Sequence, residues 1–241
     1  MVGTAISQIF STGAMRSSRL LRRTRASRGA PVVAGSRFGG YAVGERLGRG
    51  GYGEVFSAQH ASSGRAVAIK LQRADRKAKL AAESQVLRCV SHAPGFPRLL
   101  WFGVAHGHQA IVMNKLGPSL KDRQESGGNL SARALRVVSQ QVMRRLEALH
   151  ERHWLHLDVK PANILFPPIE DKTAEEEPLL HLIDFGLSRK WWDELRGVHL
   201  SSIPRRGCIG TVRFSSVANQ SSLNMTEMGN FELFVVNESQ S

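Results

Sequence analysis

The period of the hydrophobic pattern changes once along this chain, and that change constrains the fold more than any other feature. From residue 41 to about 72 the apolar residues fall in short runs, YAVGERLG, EVFSAQH and AVAIKLQ, separated by glycine-rich turns, which predicts three strands of an antiparallel sheet. A helix is expected over 77–89, where Leu80, Val86, Leu87 and the following Val90 recur at roughly helical spacing before the turn signals Pro94, Gly95 and Pro97. RLLWFGV and AIVMNKL read as two further strands. Beyond them, Leu135, Val138, Val142, Leu146 and Leu149 recur every three or four residues and predict one long amphipathic helix over 131–151, with Ser131 as its N-cap. Sheet first and helix afterwards means an α+β chain of two units.

Charge is unevenly distributed. The 241 residues carry 33 Lys and Arg against 20 Asp and Glu, a net +13 that by itself suits a nucleic-acid, membrane-surface or phosphate-rich partner. Seven of the arginines lie in residues 1–40, which contain no Asp or Glu; the remainder of the chain holds 26 basic and 20 acidic residues, or +6. Residues 1–40 therefore read as a basic disordered arm. Its Arg- and Ser-rich composition fits a solvated tail, an organellar targeting segment or a nucleic-acid-binding arm. No run approaches the roughly 18–20 apolar residues of a membrane-spanning helix, so no membrane span is expected. With two cysteines, Cys89 and Cys208, there is no disulfide framework, and a reducing compartment, cytoplasmic or nuclear, is expected unless the arm directs the chain to an organelle. The stretch PPIEDKTAEEEP, 167–178, reads as an exposed acidic insertion, and from Asn219 to Ser241 there is no Lys or Arg, which marks 220–241 as an unrelated tail.

Three constellations carry chemistry. Gly48, Gly50, Gly53 and Val55 form a G-x-G-x-x-G-x-V between two strands. Glycines allow the backbone to approach a polyphosphate, although a glycine-rich hairpin has the same look; a dinucleotide site would need a helix next, and a strand follows. Lys70 ends the strand run that contains Ala68. A lysine there is either a surface residue or a fixed cation beneath the glycine loop, and Glu83 on the next helix supplies the carboxylate that favours the second reading. The third and strongest is His156-Leu157-Asp158-Val159-Lys160-Pro161-Ala162-Asn163, followed 21 residues after Asn163 by Asp184-Phe185-Gly186. Phosphoryl transfer needs a carboxylate to orient a hydroxyl, a cation near the moving group and hard oxygen ligands for magnesium; Asp158, Lys160, Asn163 and Asp184 are such a set, the last two as metal ligands.

In this order the motifs resemble those of the eukaryotic-type protein kinases. Leu116-Gly117-Pro118-Ser119-Leu120, HLIDFGLSRKW and Gly210-Thr211-Val212-Arg213-Phe214 are similar to the casein kinase I group, which lacks an A-P-E element, as this chain does. The resemblance covers about 41–219. It implies a bilobal α+β fold, with an N-lobe of antiparallel sheet plus one helix (41–116) and a mainly helical C-lobe (117–219). It further implies ATP and Mg2+ as cofactors, with Leu47, Gly48, Gly50, Gly53, Val55, Ala68, Lys70, Glu83, Met113, Asn114, Leu116, Leu165 and Asp184 around the nucleotide. Met113 would be the gatekeeper, Asn114 and Leu116 would offer backbone groups to adenine, Thr211 would contact Asp158 and Lys160, and Arg213 would bind a phosphate or acidic group on the substrate. The implied activity is transfer of the ATP γ-phosphoryl group to Ser or Thr of acidic or pre-phosphorylated proteins, by a monomer with no specific nucleic-acid partner. A non-catalytic nucleotide-binding or interaction module is the alternative. Two departures stand out. Leu157 replaces the arginine usual before the catalytic Asp and cannot pair with a phosphate, so activation is expected to be independent of phosphorylation in the 187–216 loop. The helices that follow in the family have no counterpart in 220–241, so a C-terminally truncated kinase domain is expected.

Overall fold

A computed structural model describes residues 34–51, 53–74, 79–168, 177–200 and 209–215. Most of the arm, the middle of the acidic insertion and the whole 220–241 tail lie outside the described residues.

The first unit is a six-stranded antiparallel sheet with one helix. Its strands are β1 (Arg37–Phe38), β2 (Tyr41–Gly50), β3 (Gly53–His60), β4 (Ala66–Arg73), β5 (Leu99–Ala105) and β6 (His108–Asn114), in the order β1-β2-β3-β4-β6-β5. Helix α1 (Lys79–Val90) crosses between β4 and β5. The period of two along β4 sorts its side chains between two cores. Val67, Ile69 and Leu71 join Phe38, Val43, Phe56, Ala58, Ala110 and Val112 in one cluster. Ala68 and Lys70 point the other way. Phe38 is fully buried and belongs to this sheet unit; it was expected in the arm, because a two-residue strand among arginines and glycines has no period to read.

The second cluster lies on the other side of the sheet and joins the two units. Leu80, Val86, Leu87 and Val90 of α1 meet Ile111 of β6, Val138, Val142 and Leu149 of the long helix, and Phe185. That helix, α3 (Ala132–His150), begins at Ser131, whose hydroxyl accepts the amide hydrogen of Ala134. Such a cap contributes about 1 kcal/mol. A shorter helix, α2 (Leu120–Glu125), escaped the sequence pattern because six residues give too few turns to show one. It is set by a capping box in which Ser119 and Asp122 exchange hydrogen bonds. The remaining elements are two-residue strands: β7 (Trp154–Leu155), β8 (Ile164–Leu165), β9 (His181–Leu182), β10 (Arg189–Lys190), β11 (Trp192–Asp193) and β12 (Val198–His199). β8 pairs with β9 and β7 with β10, and these two ladders carry the loops that follow α3 to the mouth between the units. No helix among the described residues is long and apolar enough to cross a membrane.

Candidate active site

Strand register brings the roof of the site together. Gly48 pairs with Val55 and Gly50 with Gly53, so the glycine-rich stretch is the tip of the β2–β3 hairpin. Gly53 has φ +140°, and a Cβ there would collide with the carbonyl of Leu71. Val55 lies opposite Lys70 on β4, and Ala68 lies opposite Met113 on β6. Directly opposed residues share a face, as do residues two apart. Val55, Ala68, Lys70 and Met113 thus line the underside of the sheet. Leu47 is exposed beside them, at the hairpin edge.

Lys70 is buried, and its Nζ lies 2.8 Å from both carboxylate oxygens of Glu83 and 2.7 Å from Oδ1 of Asp184. Glu83 reaches it because it falls on the buried stripe of α1 with Leu80, Ser84 and Leu87. Burial by itself would lower the Lys70 pKa, but the charges of Glu83 and Asp184 outweigh it and hold the ammonium above its ordinary value. Asp184 is also opposed by burial, yet Lys70 keeps its carboxyl below the usual range. Burial pushes Glu83 upward against the pull of Lys70. Glu83 further accepts a hydrogen bond from the Phe185 backbone, so one helix residue ties the lysine to the Asp184-Phe185-Gly186 turn. Asp184 itself sits at φ +66°, a left-handed conformation that a non-glycine residue holds at a cost.

Asp158 stands below this roof, on the loop between β7 and β8. Its Oδ1 accepts the backbone N–H of Thr211 at 3.0 Å and the Thr211 hydroxyl at 2.8 Å. Its Oδ2 accepts Lys160 Nζ at 2.6 Å, and the same ammonium donates to Thr211 Oγ1 at 3.0 Å. Asn163 donates through Nδ2 to the Asp158 carbonyl at 2.8 Å. The Asn163 carbonyl also receives the Ile183 N–H, which sets Asn163 beside Asp184. Leu165 lies on β8 opposite His181 and bridges to Ser119, closing the floor. Asn114 is the last residue of β6, paired with Val67 of β4, and its Oδ1 accepts the Arg98 N–H at 2.6 Å; Leu116 follows in the connection between the units. Arg213 is exposed on the short turn Val212–Phe214, two residues past Thr211.

A family model described as a protein kinase domain matches residues 41–213, more than two thirds of the chain. The chain belongs to the protein kinase family. Its first unit is the N-lobe of that domain, and the few helices and short ladders after Asn114 are its C-lobe.

The family implies ATP and a divalent metal, and the donor set of this kinase domain fits them. With the Asn163 amide nitrogen bonded to Asp158, its Oδ1 is left as a hard oxygen donor, and the Asp184 carboxylate is a second. No cluster of three or more His, Cys, Asp or Glu among the described residues makes a cage of protein groups alone. Two oxygens completed by phosphates are what a magnesium ion takes in nucleotide sites. Bound there, the ion would neutralise charge on the phosphates. Lys70 would hold the polyphosphate from above, Lys160 would face the transferred group, and Asp158 would orient the attacking hydroxyl and accept its proton.

Two supporting residues lay beyond what the sequence motifs conveyed. His156 is buried and bifunctional: Nδ1 accepts the Asp158 N–H at 3.2 Å, so Nε2 carries the hydrogen that it donates to the Ile183 carbonyl at 3.0 Å. Its ring also packs edge-on to Phe185, with centroids 5.2 Å apart. One imidazole thus joins the catalytic loop to the strand before Asp184. Burial lowers its pKa below 6.5, outweighing the Ile183 hydrogen bond and the nearby carboxylates. The folded ring therefore stays neutral where an unfolded one would protonate. Stability that it contributes above pH 6.5 is lost as pH falls through the depressed folded value. NMR titration of the imidazoles should find His156 titrating below the ordinary value of 6.5, with the neutral ring in the Nε2–H tautomer; titration at or above 6.5 would contradict this.

The other residue is Gly210. It adopts φ +87°, and a Cβ there would collide with the Leu157 carbonyl and come within 3.3 Å of Asp158 Oδ1. Glycine is what lets the backbone before Thr211 lie against the Leu157–Asp158 loop. Gly210→Ala is expected to reduce kcat about 10²-fold by displacing Thr211 from Asp158, while the thermal shift on adding MgATP is retained. Unchanged kcat would show that Thr211 does not position Asp158.

Proposed function

We propose that this kinase domain phosphorylates Ser or Thr in acidic or pre-phosphorylated protein substrates, as the casein kinase I group does. The observation that carries this reading is the Thr211 junction. Thr211 binds both Asp158 and Lys160, so Arg213, two residues along and exposed, is held close to the catalytic carboxylate, where a substrate anion would meet it. An exposed arginine matches a phosphate or carboxylate in two-pronged geometry. Leu157 supports a second part of the proposal. It is buried at 4% exposure in the position where a phosphate-pairing arginine would stand, so the activation loop has no cation at that point to order it on phosphorylation.

The test is transfer of phosphate to matched peptides with a phosphoserine, a glutamate or an alanine upstream of the target serine. The Arg213→Ala variant should raise KM for the anionic peptides by about tenfold and leave the alanine peptide unaffected, the equivalent of one charge-assisted hydrogen bond. Equal use of all three peptides by the unaltered chain would remove the acidic-substrate reading. Transfer no greater than that of the Asp158→Asn variant, with a retained MgATP thermal shift, would favour a nucleotide-binding module instead.

A further inference from the structure

A second charged site lies on α3, built from residues that take no part in the kinase site. Arg145 is buried at 6% exposure on that helix. Its two terminal nitrogens donate to the Gln141 carbonyl and to Gln141 Oε1, at 3.0 and 3.1 Å, and its Nε has no partner. No carboxylate among the described residues stands within ion-pair distance of it or of its neighbour Arg144. The loop after α1 is shaped around this group: Gly95 lies against the guanidinium, and a side chain there would collide with Nε. A buried charge without a counter-ion is costly.

Both arginines line a concavity of about 410 Å3, walled by Pro94, Val137, Gln140 and Leu179, with Glu177 at its rim. From it, an exposed row runs along α3 through Gln140, Arg136 and Arg133, spaced three or four residues apart and so on one face. From Arg144 to Arg133 the row is roughly 16 Å long, the reach of about five extended residues. A compact anion would use only one end of it.

We propose that this groove docks an acidic peptide segment of a partner protein, seating one carboxylate at Arg144–Arg145 and the following acidic residues along Arg136 and Arg133. Charge complementarity argues for the occupant, and the apolar walls accommodate small side chains between the acidic ones. Burial, followed by the repulsion of Arg144, lowers the Arg145 pKa. The inference is independent of the substrate reading, since it places no ligand at Arg213 or Asp158.

The test is fluorescence anisotropy of a labelled eight-residue peptide of alternating Glu and Ala on the full chain, with a Gln-for-Glu peptide as comparison. The Glu peptide should bind, more weakly as salt rises. Arg144→Glu, and separately the exposed pair Arg133→Glu with Arg136→Glu, should each weaken binding about tenfold, whereas Arg213→Ala should leave it unchanged. Equal binding of the Gln peptide, or unaltered binding to Arg144→Glu, would overturn the proposal. So would loss of binding in Arg213→Ala, which would move the peptide to the catalytic mouth. Competition by inorganic phosphate with no dependence on Arg133 and Arg136 would replace the peptide by a small anion. Binding seen only after Glu170, Asp171, Glu175 and Glu176 are changed to Gln would overturn it in favour of the chain's own acidic stretch.

Discussion

Asp158→Asn is expected to lower phosphoryl transfer by about 10²–10⁴-fold, the range of a lost general base, while the MgATP thermal shift stays as it was. The carboxylate receives four donors: Thr211 N–H and Thr211 hydroxyl on one oxygen, and Lys160 Nζ and a longer 3.4 Å contact from Asn163 on the other. An amide in its place has one acceptor oxygen. Whichever way that amide turned, its NH2 would face either the Lys160 ammonium or the Thr211 N–H, so the variant loses a proton acceptor and the geometry around it. Lys70, Glu83 and Asp184, which would hold the nucleotide, form an ion-pair group of their own. Initial-rate assays with thermal melts in parallel check both halves. Full activity in the variant would remove Asp158 from the mechanism.

Lys70→Met is expected to affect both binding and folding. It removes the one cation shared by two carboxylates, in a place where the side chains of Lys70 and Glu83 are 8% and 3% exposed. Leaving Glu83 buried and unpaired costs about 3–5 kcal/mol, and the MgATP thermal shift should vanish because the cation held beneath the glycine hairpin is gone. The decisive comparison is the double variant Lys70→Met with Glu83→Gln. Removing both charges is far less costly than stranding one, so the double variant should recover much of the stability and none of the nucleotide shift. Denaturant melts supply the numbers. Equal stability of the single and double variants would mean that the pair is not coupled. Lys70 should also remain charged across the working range: its raised pKa means that the stability it contributes is present below pH 10.5 and lost only as pH rises through the folded value.

The legible parts of this chain are those whose physics is local. Strand runs with a period of two and a helix of more than five turns appear in the sequence because burying one face requires that spacing, and β2 to β6, α1 and α3 all lie where it put them. Glu83 was legible from Lys70: a lysine carried on an apolar strand needs a carboxylate to hold it, and Glu83 on the next helix is the nearest candidate. The unreadable parts depend on chain segments distant in sequence. Arg145 had no signal, because an arginine on a helix is usually solvated, and the loop at Gly95 that lies against it comes 50 residues earlier. Phe38 had none either, since its burial comes from a sheet assembled by strands that follow it.

What the sequence determined unaided was the inventory: a glycine hairpin, a lysine with its carboxylate, a catalytic-loop set and a second aspartate, in an order that resembles one family. The tertiary structure decided how they are held. Lys70 and Asp184 are 114 residues apart and meet at 2.7 Å, and Thr211 lies 53 residues from the Asp158 that it fixes. Spacing along the chain carries no information about such contacts, because they exist only once the two cores close and the glycine at 210 lets one backbone lie against another.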